Sequence, residues 1–374
     1  MKIAHICYFS AGACGVWMRV KQESLEFSRR GHEVQVFSTN FTKESEEIAP
    51  PVEFLDKIKI NRFPAKRLGG EGFMQWNFKK PLIEFNPDII IAHNYRHPHT
   101  HKAIKIGKKI NSPVFLVTHA PFVEGNITRT KFQTLIVNLY DLLLGKKILN
   151  KFTKVLAISK WEIPHLLKIG ARKEKIKYIP NGIPEEFFKK KKTVETENKI
   201  LFLGRISPKK RLETLIESLK YIKDKKIKLE IVGPKEETYF KKLENLILKL
   251  KLGDRVFFSE PIYDLNKKID KIDSAKIYVL ASRVEGMPQG MIEAMARRTI
   301  VIGSNSEAIR DLISDGKNGY LFEFDNSRDL AEKIDIVLET KDTSINKNAK
   351  KFVEDFNWNK IYKKLNEIFL NSLK

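Results

Sequence analysis

Cysteine is nearly absent from the chain, and long hydrophobic runs are missing altogether. The 374 residues include two cysteines, Cys7 and Cys14, so a disulfide framework is excluded and a reducing cytoplasm is the simplest setting. The longest apolar stretch, 134–145, contains Asp141 and is shorter than the roughly 18 residues expected of a membrane-spanning helix. The opening segment MKIAHICYF has no small-residue cleavage site, so it predicts a first β-strand rather than a signal peptide.

Acidic residues are also scarce relative to basic ones. The formal net charge is +23, and residues 101–180 hold 16 basic against 4 acidic side chains, which is about half of that excess. Such a surface suits a polyanion: a nucleotide diphosphate, an anionic lipid headgroup or a nucleic acid. A lysine-rich composition without functional meaning is the plain alternative. Because the chain carries no recognisable RNA- or DNA-binding module, we expect no nucleic-acid partner.

Short apolar runs alternate with amphipathic helical stretches along the chain, with one break. Most runs are nearly continuous, which is typical of parallel strands buried on both faces. The break, PEEFFKKKKTVETEN at 184–198, predicts a linker. We therefore predict an α/β protein with two Rossmann-like doubly wound domains, 1–183 and 199–355, and a final helix over 356–374. The predicted strands are 2–9, 33–38, 88–93, 114–119, 155–159, 177–179, 200–204, 228–232, 255–258, 276–281, 299–303 and 320–324.

The loop after the first strand, SAGACGV, contains Gly12 and Gly15 ahead of a predicted helix. Glycines at such a position allow a phosphate to approach the backbone at the helix N-terminus. The spacing is not G-x-G-x-x-G and no acidic residue follows strand two, so a dinucleotide-dependent dehydrogenase is disfavoured. An ordinary strand-to-helix turn is the simple alternative.

Charged residues cluster after two strands of the second domain. Arg205 and Lys210 follow its first strand, and two cations beside a crevice can neutralise a diphosphate. In SRVEGMPQGMIEAMA, Glu285 lies in a loop and Glu293 inside a helix, whose N-terminal N–H groups and dipole favour a phosphate. The residues expected to surround that phosphate are Gly286, Pro288, Gln289, Gly290 and Met291.

An acid–base pair of a hydrolase is an alternative role for the two glutamates. Eight helical residues span about 12 Å, whereas the carboxyl groups of a retaining hydrolase lie roughly 5–5.5 Å apart and those of an inverting one roughly 6.5–9.5 Å. Glu285 and Glu293 are poorly spaced for either. Hydrogen bonds from two ribose hydroxyls to Glu293, and from the sugar to Glu285, suit the spacing better.

The E-x7-E pattern at these glutamates, with its SRVEGMP lead and EAMA tail, resembles that of the retaining glycosyltransferases of family 4. Other segments similar to that family are GRISPKK, YIPNGIP, GHEVQVFS, SEAIRDLISDGKNGYLF and NWNKIYKKL. The resemblance covers nearly the whole chain and implies the GT-B fold: two Rossmann-like domains facing a cleft, with the C-terminal helix crossing back to the first. It also implies a UDP- or GDP-sugar donor and transfer with retention of the anomeric configuration.

Residue roles follow from the resemblance. Arg205 and Lys210 would bind the diphosphate, Glu293 the ribose and Glu285 the transferred sugar, while Gly15 would lie near the phosphates. The chain has no Asp-x-Asp motif, so the cations and the helix N-terminus are expected to replace a divalent ion, with no metal requirement and no cofactor beyond the donor.

The chain departs from the family pattern in two places. Cys14-Gly15 stands where the family usually has a glycine pair. Before Glu307, where the family often has another glycine pair, this chain has Gly303-Ser304-Asn305-Ser306. These differences affect the shapes of the phosphate and sugar pockets rather than the reaction class.

His119 ends the predicted strand 114–119 and matches a histidine that the family places in the cleft. We therefore group it with Glu285, Arg205 and Lys210 as a catalytic candidate, against the alternative of a structural histidine. A second group of histidines, His93, His97, His99 and His101, does not clearly match a zinc pattern. This group favours an acceptor-side loop, with His93 and Asn94 facing the acceptor, over a metal site.

Apolar residues recur at helical spacing in residues 128–154, and basic residues flank them. The apolar stripe is Phe132, Leu135, Ile136, Leu139, Leu142 and Leu143, and the flanking cations are Arg129, Lys131, Lys146, Lys147, Lys151 and Lys154. Two interpretations stay open. The stripe packs on the sheet of the first domain, as a helix of this fold ordinarily does, or it lies on an anionic membrane surface.

The leading hypothesis is a metal-independent, cytoplasmic glycosyltransferase, peripheral to the membrane, with a lipid-linked or glycan acceptor. A nucleotide-sugar epimerase or glycan phosphorylase on the same fold is the alternative, although neither accounts as well for the two glutamates and two cations. A nucleic-acid-binding protein is a third hypothesis, which the charge alone favours.

Overall fold

The computed structural model describes residues 1–12, 14–43, 45–67, 74–122, 130–189, 197–340 and 342–373. The chain forms two compact units. The first unit comprises Met1–Phe122, Thr128–Gly182 and Trp358–Lys374, and the second includes Ile183–Asn357. Each unit is built on its own, largely parallel sheet, which confirms the prediction of two doubly wound folds.

The first unit has an eight-stranded sheet and a separate two-stranded hairpin. Its strands are β1 Lys2–Ile6, β2 Glu33–Thr39, β3 Val52–Leu55, β4 Ile58–Phe63, β5 Ala65–Arg67, β6 Met74–Trp76, β7 Ile89–His93, β8 Val114–Val117, β9 Lys154–Ala157 and β10 Ile176–Tyr178. Its helices are α1 Gly15–Arg29, α2 Lys79–Phe85, α3 Pro98–Ile110, α4 Lys131–Tyr140, α5 Lys146–Leu149, α6 Glu162–Lys168 and α14 Trp358–Leu373. The sheet order is β10-β9-β8-β7-β1-β2-β4-β3, parallel except at the β3–β4 edge, and β5 pairs with β6.

The second unit has a six-stranded sheet whose pairs are all parallel. Its strands are β11 Glu197–Leu203, β12 Lys228–Val232, β13 Val256–Ser259, β14 Ala275–Leu280, β15 Ile300–Ser304 and β16 Tyr320–Phe322. Its helices are α7 Leu212–Ser218, α8 Glu237–Leu250, α9 Leu265–Ser274, α10 Gln289–Ala296, α11 Glu307–Arg310, α12 Ser327–Glu339 and α13 Ser344–Val353. The order is β13-β12-β11-β14-β15-β16.

Each sheet reverses its winding direction beside its first strand. In the first unit the chain proceeds outward from β1 through β2 on one side and from β7 on the other, and in the second unit β11 lies between β12 and β14. Loops at the carboxyl ends of two such neighbouring strands leave in opposite directions, and the crevice between them is where ligands bind in open α/β sheets. The two crevices where ligands are expected are therefore at β1/β7 and at β11/β14.

The strand predictions hold where apolar runs are continuous and fail elsewhere. All five residues of β7 are buried. Strands β3 to β6 were not predicted, because they are three to six residues long and each contains polar or charged residues, so none is a continuous apolar run. The prediction that His119 ends its strand is wrong by two residues. Strand β8 ends at Val117, and His119 and Ala120 adopt left-handed backbone conformations with φ of 56° and 52°.

The C-terminal helix α14 belongs to the first unit, as the family resemblance implies. Its buried residues recur at helical spacing, which gives it one apolar face. On that face the ring centroid of Phe369 lies 5.6 Å from that of Phe27 in α1 and 4.7 Å from that of Phe115 in β8. The helix therefore covers part of the sheet core rather than hanging from the end of the chain.

Helix α4 exposes its apolar face, so the interpretation that this stripe packs on the sheet is wrong. None of its residues is buried, and Phe132 and Leu135 are 70% and 63% exposed. A π-helical turn, Asp141–Gly145, continues the helix and leaves Leu142 80% exposed. The attachment lies at the carboxyl end, where Arg96 donates to both carboxylate oxygens of Asp141 and Tyr140 packs against the core. The helical segment packs on the sheet only from α5 onward.

Among the described residues, none of the helices combines the length and the apolar character needed to span a bilayer. Arg129, one of the cations predicted to flank the stripe, lies outside the described residues.

Replacing Phe369 by alanine should lower the free energy of unfolding by about 3–5 kcal/mol, because it leaves a cavity against Phe27 and Phe115. Leu370, the next residue of α14, is 46% exposed. Leu370→Ala should therefore change the free energy of unfolding by less than about 0.5 kcal/mol. Thermal unfolding of the two variants checks this difference. Equal melting temperatures would show that α14 contributes little to the core.

Candidate functional site

In the second unit the loops after β11 and β14 are joined through their backbones. The amide of Arg283 donates to the carbonyl of Lys209 at 3.1 Å. Strand β12 also approaches closely, since a Cβ at Gly233, whose φ is +149°, would lie 2.0 Å from the Gly204 carbonyl oxygen. These contacts hold both loops at the carboxyl edge of the sheet, where Arg205 is half-buried directly after β11.

Two predicted site residues, Lys210 and Glu285, meet there. Lys210 Nζ lies 2.5 Å from Glu285 Oε1, and the side chains are 22% and 12% exposed. The sequence analysis assigned the lysine to a diphosphate and the glutamate to a sugar, but it did not foresee their pairing. The pair neutralises both charges while keeping the lysine at the crevice.

Glu293 lies in α10 and is 3% exposed. Its carboxylate pairs with Lys268 Nζ of α9 at 2.5 Å, and the same lysine lies 5.9 Å from the ring centroid of Phe187. Burying a carboxylate without a cation is costly, so the ion pair with Lys268 offsets part of the cost of burying Glu293 and orients it. Sequence reasoning missed Lys268, because it lies in an ordinary amphipathic helix 25 positions from Glu293 and no local pattern links them.

Helix α10 begins at Gln289, directly after Pro288, and its first turn approaches the strand ends. A Cβ at Gly290 would lie 2.5 Å from the Tyr278 hydroxyl and 3.3 Å from the Leu203 carbonyl oxygen. Only glycine therefore fits here, and the helix N-terminus is set against β11 and β14. The Tyr278 hydroxyl donates to Leu203 at 3.2 Å, and burial, with nearby carboxylates, raises its pKa.

Other members of the predicted phosphate segment have different surroundings. Met291 is fully buried, and its amide donates to the carbonyl of Pro288 at 3.2 Å, so neither its side chain nor its amide points to a ligand. Gly286 lies in the loop that leads to α10. Gly290 is then the candidate amide donor, since first-turn amides have no intrahelical partner.

In the first unit three histidines form a hydrogen-bonded chain at the β1/β7 crevice. His5 Nδ1 lies 3.0 Å from His93 Nε2, and His93 Nδ1 lies 2.9 Å from His119 Nε2. Burial lowers the pKa of His5 to about 4 and lowers the pKa values of His93 and His119 below the usual range. All three imidazoles are therefore neutral at pH 7, and each can donate through only one nitrogen.

The chain has a preferred direction. His5 Nε2 is buried without a hydrogen-bond partner among the described residues. A buried lone pair without a partner is less unfavourable than a buried N–H without one. His5 therefore donates to His93 and His93 to His119, which leaves the remaining proton of half-buried His119 on Nδ1.

The strained backbone at His119 and Ala120 is held by a residue that the sequence analysis did not select. Glu162 accepts from the amide of Ala120 at 2.9 Å through Oε2, and from the amides of Ile158 and Ser159 at 2.9 and 3.0 Å through Oε1. Burial raises the pKa of Glu162 to about 7. The Ser159-x-x-Glu162 spacing, that of a capping box, is the signal that could have found it.

The remaining predicted residues of the first unit surround this crevice. Asn94 follows β7 with a left-handed backbone, and its amide donates to Val117. Gly15 begins α1, and a Cβ there would meet no described atom within 4 Å, so packing alone does not require glycine. Within the described residues, no group of three histidine, cysteine or acidic side chains is arranged to hold a metal ion.

Two parallel sheets, each with a crevice at its carboxyl edge and one with paired cations and carboxylates, define a two-Rossmann-unit protein of the GT-B class. Two family descriptions match the chain: Glycosyltransferase Family 4 over residues 14–187 and Glycosyl transferases group 1 over residues 184–353. The chain belongs to the family 4 glycosyltransferases, which are retaining enzymes.

Curated relatives align over parts of the chain. An uncharacterized glycosyltransferase of Methanocaldococcus jannaschii is 27% identical over 64% of each chain. The poly(ribitol-phosphate) alpha-N-acetylglucosaminyltransferase of Staphylococcus aureus is 33% identical over 38% of this chain and 29% of its own. The GalNAc-alpha-(1->4)-GalNAc-alpha-(1->3)-diNAcBac-PP-undecaprenol alpha-1,4-N-acetyl-D-galactosaminyltransferase of Campylobacter jejuni is 28% identical over 43% and 45%. The chain thus spans less than two thirds of the length of these curated relatives.

Solved structures match over nearly the whole chain. Anabaena HepE in complex with UDP and glucose has a TM-score of 0.77 and 18% identity, over 99% of this chain and 100% of that one. Sucrose-phosphate synthase of Thermosynechococcus elongatus has a TM-score of 0.78 and 20% identity, over 99% and 98%. At these identities the likeness shows the fold, and it agrees with the predicted GT-B class.

The neutral histidine chain makes the stability of the protein fall in acid. Unfolded His5 binds a proton near pH 6.5, whereas the folded residue does so only near pH 4, so stability is lost as the pH falls through this window, by roughly 1.4 kcal/mol per pH unit. His5→Gln should therefore reduce the drop in melting temperature between pH 6.5 and 4.5. Between pH 8 and 7 the two proteins should show the same slope. Identical slopes in acid would mean that His5 is protonated in the folded protein.

Proposed function

We propose that the protein transfers a sugar from a UDP- or GDP-sugar to a lipid-linked or glycan acceptor, with retention of configuration and without a metal ion. The observation that carries the proposal is the pair Lys210–Glu285 beside Glu293–Lys268, at the carboxyl edge of the second unit's sheet. Two carboxylates, each paired with a lysine, lie near the N-terminal turn of α10, where the carboxylates offer acceptors for hydroxyls and the lysines offer donors for phosphates.

The diphosphate is assigned to Arg205, Lys210 and the first turn of α10. Lys210 has three N–H donors and uses one on Glu285, so it is able to bridge that carboxylate and a phosphate oxygen. The amide of Gly290 and the helix dipole add positive potential. As the sugar–phosphate bond breaks, these groups stabilise the leaving diphosphate in the role that a divalent cation has in metal-dependent enzymes.

The hydroxyl groups of the donor are assigned to the glutamates. Glu293, held by Lys268, accepts hydrogen bonds from two ribose hydroxyls, and Glu285 accepts from the transferred sugar. A leaving phosphate oxygen takes the acceptor's proton on the face that it departs from, which preserves the configuration. Gly15 and His119 are assigned to the phosphate and sugar side of the reaction, and His93 and Asn94 to the acceptor side.

An epimerase or glycan phosphorylase is the alternative enzyme class. A phosphorylase consumes free phosphate, and an epimerase releases no nucleoside diphosphate. Release of nucleoside diphosphate only when a glycosylated product forms therefore separates the proposed reaction from both.

The donor site is tested by binding measurements on single variants. Lys210→Ala should weaken nucleoside diphosphate but not nucleoside, whereas Glu293→Ala should weaken both, since losing a hydrogen bond to a charged group costs roughly 1.5–3 kcal/mol. Lys209→Ala, at an exposed neighbour in the same loop, should change neither. Calorimetric titration in EDTA measures all three. Equal loss of both ligands in Lys210→Ala, or transfer that needs added Mg²⁺ or Mn²⁺, would contradict the assignment.

The acceptor and the place of action are inferred from the first unit. Its helix α4 and the following π-helical turn expose leucines at helical spacing, with Lys131, Lys146, Lys147 and Lys151 exposed around them. Asp141, the carboxylate within this helical stretch, is already paired with Arg96. Exposed apolar side chains with unopposed cations suit an anionic membrane surface, to which each nearby lysine contributes about 1 kcal/mol. We therefore favour a lipid-linked acceptor and a peripheral position at the cytoplasmic face of the membrane.

Vesicle sedimentation tests the membrane surface. The protein should bind vesicles that contain phosphatidylglycerol at low salt, bind less at high salt, and not bind neutral phosphatidylcholine vesicles. Leu142→Ser/Leu143→Ser should reduce this binding at least about tenfold, because it removes two exposed apolar side chains from the surface. Leu248→Ser, at a 74% exposed leucine of α8, is the control. Self-association that the double variant abolishes, without vesicle binding, would assign the face to a second copy instead.

A further inference from the structure

A cavity in the described part of the first unit lies beside α3. It has a volume of about 420 Å³ and is bounded by α3, by β6 and by the start of α2. Its wall combines four lysines with a buried aromatic surface, and none of the described residues that line it is acidic. The function proposed above does not use this cavity.

Four lysines concentrate positive charge on the wall of the cavity. They are Lys79, Lys102, Lys105 and Lys109, and none of them forms an ion pair with a described carboxylate. Lys102 Nζ donates to the carbonyl of Trp76 at 2.8 Å and lies 5.1 Å from the ring centroid of Phe78. Burial and the charge of Lys79 lower the pKa of Lys102. An anion in the cavity would relieve this repulsion.

The cavity is also lined by aromatic side chains, and two of its lining residues have buried ring nitrogens without a partner among the described residues. Trp76 and Phe78 are 4% and 0% exposed. Two ring nitrogens of lining residues, Trp76 Nε1 and His99 Nδ1, are buried without a hydrogen-bond partner among the described residues. A cavity with this composition fits a ligand that has both a phosphate-like group and an apolar part.

The cavity adjoins both features of the first unit that the proposed function uses. His99 Nε2 lies 2.6 Å from the carbonyl oxygen of His93, at the acceptor-side crevice. His101 Nε2 lies 2.5 Å from the hydroxyl of Tyr140, the last residue of the exposed helix α4. His99 and His101, which line the cavity, thus connect it to the crevice and to α4.

We propose that this cavity binds the phosphate or diphosphate group of an amphiphilic acceptor, with Lys102 and Lys105 on the phosphate oxygens and Trp76 beside the first apolar carbons. That the ligand is an acceptor rests on the proposed function, whereas the proposal that the cavity binds an anionic amphiphile does not depend on it. The anionic group belongs either to a lipid or to a free phosphate, and the experiment separates the two.

The test is equilibrium binding of geranyl diphosphate to the full chain, with excess UDP present to occupy the donor site. Tryptophan fluorescence reports it, because Trp76 lines the cavity, and Trp76→Phe should abolish the change. Lys102→Ala and Lys105→Ala should each raise the dissociation constant about tenfold, since each removes a charged hydrogen-bond donor. Lys57→Ala, at an exposed lysine of the same unit, should leave it unchanged.

Two further probes identify the source of the anionic group. Inorganic diphosphate and geraniol should each bind at least about tenfold more weakly than geranyl diphosphate. Equal binding of inorganic diphosphate would overturn the amphiphilic acceptor, and absence of geranyl diphosphate binding, or binding that Lys102→Ala leaves unchanged while the variant stays folded, would overturn the site. Because no donor or transfer is involved, the result stands apart from that of the transferase assay.

Discussion

The structure depends on one constraint: a parallel sheet buried on both faces must be covered by helices on both sides. The apolar residues of β7 and β8, all buried, and those of β11, which are buried from Ile200 to Phe202, cannot face water. The crossover helices that cover them must therefore lie on opposite faces, and the chain has to change its winding direction beside β1 and beside β11. The two crevices are consequences of that reversal. The proposed site lies on loops at these edges, because the loops are not buried between the sheet and its covering helices.

The lysines and carboxylates of the proposed site in the second unit are already paired with each other in the absence of a ligand. Lys210 with Glu285 and Lys268 with Glu293 remove most of the cost of holding ionised groups at a partly buried edge. Deeper in the same unit, Arg297 and Asp273 form a further pair that is almost completely buried. The difference between these pairs is exposure: the pair at Lys210 remains accessible to a ligand, and the pair at Arg297 is sealed. In the proposed function, a ligand with hydroxyls and phosphates binds at the first kind of pair.

The first unit follows another electrostatic rule. Its crevice is lined by neutral imidazoles, because burial prevents three adjacent histidines from holding protons. The positive charge of this unit lies instead on the surface around α3 and α4, where lysines outnumber carboxylates. The neutral crevice suits hydroxyl recognition by directed hydrogen bonds, while the basic, partly apolar surface beside it suits an anionic amphiphile. In the proposed function, this surface gives the lysine excess of residues 101–180 a role.

The amino-acid sequence by itself determined the periodic and local features. Continuous apolar runs specified the parallel strands, and the E-x7-E pattern with GRISPKK located Arg205, Lys210, Glu285 and Glu293 near the right strand ends. These signals are readable because each depends on residues within one or two turns of each other. The short strands β3 to β6 were missed because polar or charged residues occur in each of them and none forms a continuous apolar run.

Only the tertiary structure decided which side chains meet. The pairing of Glu293 with Lys268, the chain from His5 through His93 to His119, and the hold of Glu162 on Ala120 join residues of different elements. It also decided that the α4 stripe is exposed, although its sequence reads like that of any buried amphipathic helix. Periodicity shows that a helix has an apolar face, but whether a partner surface exists depends on how the rest of the chain fills the space around it.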